Sequence, residues 1–166
     1  MEKVKGRARR FGDNIDTDTI TPGSLLHLSL EELKVHAFEP ISPGFARTVR
    51  EGDIIVGGNN FGCGSSREQA TSVLKDLGIH YIACESMARI YFRNCIALGV
   101  YPIIAKGVAG LFQEGDMIGI DLEAGQIMNI GTGKSTSFEP LSGTPWEILK
   151  GGGILPFLKR ITEARS

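Results

Sequence analysis

The stretch Gly57-Gly58-Asn59-Asn60-Phe61-Gly62-Cys63-Gly64-Ser65-Ser66-Arg67-Glu68 gathers the residues whose types and order could do chemistry. It follows a short β-branched run and precedes a helical periodicity, so it joins the end of a predicted strand to the start of a predicted helix. The first N–H groups of a helix lack intrahelical partners and carry the positive end of the macrodipole. Such a junction is a favourable seat for a carboxylate or phosphate. Gly62 and Gly64 let a ligand approach the backbone, Ser65 and Ser66 supply hydroxyls, and Arg67 supplies a permanently charged fork matched to a carboxylate. The chemistry implied is recognition of an acid.

A plainer reading has Ser65 capping the helix, Glu68 completing a capping box and Arg67 standing in solvent. Pattern alone favours it, because the same box recurs at Ser29 and Thr144. Nucleotide binding has weak support. Arg67 stands where a GxGxxG motif needs its third glycine, and Gly133-Lys134-Ser135, which imitates a P-loop ending, has Met128 where that motif needs glycine.

The elements that must position this loop read as alternating strands and helices. Residues 3–11 form a first strand, and residues 12–20, short of helix formers, a polar loop. Ser29-Leu30-Glu31-Glu32 is a capping box opening a helix that runs to about His36, with Pro40 and Pro43 beyond it. Residues 53–56 are a buried strand, and Ala70, Val73, Leu74 and Leu77 mark one face of a helix that Gly78 terminates. Residues 79–84 are a strand, Ser86 caps a helix through Ile90, Phe92 and Leu98, and residues 100–105 are a further strand. This β-α-β-α-β order predicts parallel strands. Residues 116–121 and 126–130 then form a hairpin, Thr144 with Pro145 opens a capped helix, and a helical segment closes the chain. No internal repeat or linker is evident, so residues 1–166 are expected to form a single α/β domain.

Composition narrows the function. The 166 residues are 42% hydrophobic and 22% charged, and 18 basic against 19 acidic residues leave a charge of −1, which gives no electrostatic case for nucleic acid or an anionic membrane. Cys63, Cys84 and Cys95 are odd in number and too far apart for a CxxC pair, so neither a disulfide framework nor a zinc or iron-sulfur site is encoded; a reducing cytoplasm fits best. Cys63 reads as a small residue filling a tight turn rather than as a reactive thiol. His36 and His80 read as scaffold, and no two histidines have metal-ligand spacing. Arg89 and Arg93, at i and i+4, read as surface arginines that could instead orient the loop or face a partner. No signal segment and no run of about 18 apolar residues occurs, so a soluble protein is expected.

Several motifs then stand in a recognisable order. Phe11-Gly12-Asp13-Asn14-Ile15-Asp16-Thr17-Asp18, Asn60 through Ala70, Ser86-Met87-Ala88-Arg89-Ile90 with Arg93-Asn94, and Gly151-Gly152-Gly153 resemble the small subunits of isopropylmalate dehydratase (isopropylmalate isomerase) and homoaconitase. These are equivalent to the swivelling C-terminal domain of aconitase, and the resemblance covers nearly the whole chain. It implies a swivelling β/β/α domain whose parallel or mixed sheet is flanked by helices and carries a small hairpin. It also implies a separate large subunit that holds a four-iron four-sulfur cluster through its own cysteines, with no metal or cofactor bound by this chain.

By the same resemblance Ser65 matches a catalytic base that removes a proton from the carbon next to a carboxylate. Serine is a poor base unaided, and helix N–H groups with Arg67 are the kind of positive surroundings that stabilise an alkoxide. Arg67 matches a ligand of the substrate carboxylate, with Ser66 in a supporting contact, and Asp18 and Thr19 match a polar loop reaching the same cleft. The reaction implied is reversible dehydration and rehydration of a hydroxy acid, moving a hydroxyl between neighbouring carbons. The cluster iron would act on the leaving hydroxyl from the other chain, so closure of the subunits assembles the site.

Substrate choice in this family is associated with the segment that is Leu25-Leu26-His27-Leu28 here. Isopropylmalate enzymes tend to show Tyr-Leu-Val-Tyr and homoaconitases Tyr-Leu-Arg-Thr, and this chain matches neither. Leucines suit an alkyl group, and no arginine is present for an extra carboxylate unless His27 is protonated. The expectation is an alkyl-substituted malate, isopropylmalate in leucine biosynthesis first, with dimethylmalate, methylmalate (citramalate) and homoaconitate as competitors. A stand-alone carboxylate-binding domain is the alternative from another class. Self-association of the isolated chain stays open.

Overall fold

The computed structural model describes residues 3–165. Its frame is a mixed seven-stranded sheet. The central strand β1 (Lys3–Arg10) pairs in parallel with β2 (Ile54–Gly57), which is followed outward by β3 (Tyr81–Cys84) and β4 (Tyr101–Ile104), all parallel. On its other side β1 pairs antiparallel with β5 (Met117–Asp121), followed by β6 (Gln126–Asn129) and β7 (Ser135–Ser137). This is the α/β class expected, with the sheet mixed and the β5–β6 hairpin in place. Strand β7 lay beyond the sequence pattern, because Ser135-Thr136-Ser137 has no apolar alternation to mark it.

Three one-turn helices, α1 (Thr17–Ile20), α2 (Leu30–Leu33) and α3 (Phe45–Thr48), fill the connection from β1 to β2. The longer α4 (Gln69–Asp76) and α5 (Arg89–Leu98) link the parallel strands, and α6 (Gly143–Lys150) and α7 (Ile154–Ala164) end the described chain. The Ser29 box forms as expected: Ser29 Oγ accepts from Glu32 N at 3.2 Å and Glu32 returns to Ser29 N at 3.0 Å. The loop expected over residues 12–20 instead contains α1, because Asp16 Oδ1 accepts the Thr19 N–H at 2.7 Å and caps one turn.

Alternation along the strands divides the apolar core between the two faces. Ile55 and Ile82 join Phe11, Phe38, Phe45, Phe61, Leu74 and Tyr91 under α4 and α5, whereas Ile54, Val56 and Ala83 join Tyr101, Phe112, Ile118 and Ile127 on the other face. Of the predicted stripe, Ala70, Val73 and Leu74 are wholly buried and Leu77 is partly buried, and Gly78 ends that helix with a left-handed φ of +93°.

Two expected caps are absent. Helix α5 starts at Arg89 after an uncapped Ala88, and Ser86 Oγ instead accepts the N–H of Asn60 at 2.8 Å. Helix α6 starts one residue before Thr144, with no side-chain cap at Ser142. In the first case a tertiary partner claimed the hydroxyl that a local pattern assigned to the helix.

Candidate active site

Beyond β2 the chain does not leave the sheet at once. Segments following β1 and β2 stay stitched together, with Gly58 N to Gly12 O at 3.0 Å, Asn14 N to Asn59 O at 2.8 Å, Gly62 N to Ile15 O at 2.6 Å and Thr17 N to Cys63 O at 2.8 Å. On the other side Phe61 bridges to Met87, through Phe61 N to Ser86 O at 3.0 Å and Ala88 N to Phe61 O at 2.9 Å. The loop expected to carry the chemistry is therefore wedged at the C-terminal ends of the parallel strands, the usual place for a ligand site in such sheets. Gly62 makes this close fit possible. Its φ is +77°, and a Cβ there would overlap the ring of Tyr91, which is 1% exposed and packs edge-on against Phe61.

Ser65 and Ser66 emerge exposed from this wedge. Ser65 is not a helix cap, because α4 begins at Gln69 with Glu68 in the capping position and no side-chain cap there. Its hydroxyl instead lies 3.3 Å from Thr17 Oγ1, and the Thr17 hydroxyl donates to Ser65 O at 3.1 Å. Thr17 is only 2% exposed and faces inward from α1.

The exposed Asp18 follows it on the same turn and meets Arg67, whose Nη1 donates to Asp18 Oδ1 at 2.9 Å and to Thr21 O at 3.3 Å. Gly23 N donates to the same Asp18 oxygen at 2.8 Å. The Arg67 hydrogen bond, then that of Gly23, holds the Asp18 carboxyl below its ordinary value of 3.8. Thr19 is half-buried on this turn and gives its N–H to Asp16, which ties it to the turn rather than to the loop. The structure thus brings the exposed Ser65, Ser66 and Asp18 together around the half-buried Arg67.

The segment 25–28 divides differently. Leu25, Leu26 and Leu28 are half-buried against the core under α4, and His27 is the exposed side chain. His36 and His80 pair with Glu39 and Glu51, each at 2.6 Å. Arg89 and Arg93 are exposed. Burial pushes the Cys84 thiol up to about 12 and raises Cys95 as well, while Cys63 is half-buried in the wedge. Among the described residues no three His, Cys, Asp or Glu side chains gather as metal ligands, and no helix is long and apolar enough to cross a membrane.

A family model described as the aconitase C-terminal domain matches residues 40–107. The methanogen homoaconitase small subunit of Methanothermobacter thermautotrophicus is 48% identical over 160 residues, which span 95% of this chain and 92% of that protein. This chain belongs to the family of 3-isopropylmalate dehydratase and homoaconitase small subunits. A crystal structure of 3-isopropylmalate dehydratase from Methanocaldococcus jannaschii matches it with a TM-score of 0.93 at 41% identity, covering 99% of this chain and 98% of that one. The isopropylmalate/citramalate isomerase small subunit of the same organism is 44% identical over 158 residues, 95% of this chain and 94% of that protein. Two members named for different acids thus stand at nearly equal identity, so overall similarity does not rank the substrates for this dehydratase-family small subunit.

Sequence reasoning missed Thr17 as part of the arrangement. No local pattern marks it, because its partner Ser65 lies 48 positions away.

Proposed function

We propose that this chain is the small subunit of a hydro-lyase that reversibly dehydrates and rehydrates an alkyl-substituted malate, 3-isopropylmalate first. Residues 1–166 act as one swivelling domain in the cytoplasm, in leucine biosynthesis, beside a separate large subunit. The observation that carries this reading is the arrangement of the exposed Ser65 and Ser66 beside the half-buried Arg67, with the guanidinium fixed by Asp18.

Ser65, as the alkoxide, takes the proton from the carbon next to a substrate carboxylate and becomes a hydroxyl. The electron pair left behind forms the double bond as the hydroxyl departs from the neighbouring carbon, and water adds back the other way round. Arg67 binds a carboxylate through nitrogens that Asp18 does not occupy, and Ser66 supplies a second contact. Asp18 cannot itself accept a hydrogen bond from an ionised carboxylate, so it serves the substrate by holding Arg67; Thr19 steadies the same turn.

The scattered cysteines here, two of them buried with raised thiols, do not suit an iron-sulfur cluster. The family resemblance implies a four-iron four-sulfur cluster in the large subunit, which would supply Lewis-acid chemistry for the leaving hydroxyl. The partly exposed Leu25, Leu26 and Leu28 favour an alkyl substituent, with dimethylmalate and citramalate as smaller alternatives. His27 is the group through which homoaconitate, with its additional carboxylate, would be accepted.

The test is Ser65→Ala in the anaerobically reconstituted two-chain complex, assayed with isopropylmalate, dimethylmalate, citramalate and homoaconitate. Turnover should fall by at least about 10² while substrate affinity largely survives. Unchanged turnover removes Ser65 as the base; a native complex with an intact cluster that binds the acids and turns over none of them gives the carboxylate-binding reading first place.

A further inference from the structure

We infer that Thr17 is a positioning residue whose buried hydroxyl serves Ser65 in both of its protonation states. The inference rests on the reading of Ser65 as the base and adds the group that would hold it ready.

A threonine hydroxyl has one proton to donate and lone pairs to accept with. In this structure Thr17 Oγ1 donates to Ser65 O at 3.1 Å, which leaves its oxygen free to accept from the Ser65 hydroxyl 3.3 Å away. That is the correct polarity for a neutral serine. An alkoxide can only accept, so it requires the Thr17 proton to swing from Ser65 O to Ser65 Oγ, a rotation about a single bond with no heavy atom displaced.

The swing costs the carbonyl little, because Ser65 O already accepts the Arg67 N–H at 2.9 Å and keeps that donor when Thr17 turns away. The resting contact is also about 0.6 Å longer than a charge-assisted O–H···O bond, so it can tighten when charge develops. At 2% exposure, Thr17 is itself held out of water, so its hydroxyl is directed at Ser65 rather than at solvent.

The surroundings over-determine this geometry. Thr17 N is tied to Cys63 O at 2.8 Å, and Thr17 O takes the N–H and hydroxyl of Thr21 at 2.9 and 3.3 Å. Gly64, at φ +101°, immediately precedes Ser65, and a Cβ there would stand 3.3 Å from Thr17 Oγ1, tighter than ordinary contact. Glycine at 64 thus lets the Ser65 loop close onto Thr17.

The experiment compares Thr17→Val and Thr17→Ser with the native protein and with Ser65→Ala, each in the reconstituted complex and with the same four acids. Loss of the hydroxyl should lower kcat on the order of 10²-fold with KM little changed. It should move the rising limb of the kcat/KM profile up on the order of one pH unit, because a donor to the charged form is gone. Thr17→Ser should recover most of the rate and the native profile. If Thr17→Val does not fold, Thr17→Ala against Thr17→Ser repeats the comparison, since those side chains differ only by the hydroxyl. A hydroxyl-free variant with native kcat and profile, beside an inactive Ser65→Ala, overturns the proposal and leaves the base assignment standing. An active Ser65→Ala removes the base assignment itself. Equal losses in the serine and alanine variants show that the methyl group, not the hydroxyl, is what matters, and also overturn it.

Discussion

Arg67 Nη1 lies 2.9 Å from Asp18 Oδ1 across 49 positions of sequence, and the same carboxylate oxygen takes the N–H of Gly23 at 2.8 Å. A one-turn helix and a loop from the far side of β2 are thereby joined beyond the C-terminal ends of the central parallel strands. Gly23 belongs to the same design: a Cβ there would sit 2.8 Å from Arg67 Nη2 and 2.9 Å from Asp18 Oδ1, so glycine leaves room for the pair.

Asp18 should titrate below the ordinary 3.8, chiefly because of Arg67. Its folded value lies under its unfolded one, so its contribution is complete above about pH 4 and is lost as pH falls through the lowered value. Neutral conditions leave it intact. Carboxyl-carbon NMR titration in Arg67→Ala should bring the Asp18 midpoint up towards 3.8; an unmoved midpoint would show that the pair does not persist in solution.

Arg67→Lys keeps the charge and loses the planar fork, so one amine must serve both Asp18 and a substrate carboxylate. In the reconstituted complex KM should rise by about 10- to 100-fold, as expected for losing one charge-assisted contact. Folding stability should change little, since the pair is exposed on its acidic side. Steady-state kinetics and urea unfolding separate the two effects.

Gly62→Ala tests the wedge. The added methyl meets the buried Tyr91 ring at a φ of +77°, combining overlap with backbone strain. A loss of roughly 2–4 kcal/mol is expected by denaturant unfolding. A loss under about 1 kcal/mol would mean that the loop can retreat from α5.

His27→Arg tests substrate choice. Because His27 is the exposed member of the 25–28 segment, a permanent cation there should favour an acid with one more carboxylate. The kcat/KM ratio of homoaconitate to isopropylmalate should rise at least about tenfold. An unchanged ratio would place discrimination elsewhere, with Leu25, Leu26 and Leu28 the next residues to vary.

Iodoacetamide should modify the folded chain at Cys63 first. Cys84 and Cys95 are buried and their thiols are raised by that burial, Cys84 to about 12, so both stay protonated and shielded at pH 8. Peptide mapping after brief labelling gives the order, and equal labelling of all three would show that the core opens.

The strands and helices between residues 53 and 105 were legible because their signals are local: β-branched runs, one helical stripe and a terminating Gly78. The Ser29 box was legible for the same reason, since both of its hydrogen bonds lie within four residues. The boxes read at Ser65 and Thr144 and the cap read at Ser86 did not form. For Ser65 and Ser86 the reason is visible in partners from distant segments, Thr17 and Asn60. Ser65, Ser66 and Arg67 were found as a cluster in one loop, but their relation to Asp18 and Thr17 depends on two chain segments running side by side after β1 and β2. No spacing in the sequence expresses that.

The double use of β1 bears on how the chain is made. Lys3 pairs with Asp121 and Arg7 with Met117, while Ala8 to Arg10 pair with residues 54–56. An early segment therefore waits for partners that the ribosome delivers last, about 110 residues later for the antiparallel half. Until they arrive, one edge of the strand on which the whole sheet depends has nothing to bond, and closing so distant a pair is slow. Nascent chains halted before β5 should accordingly be the form most dependent on chaperones.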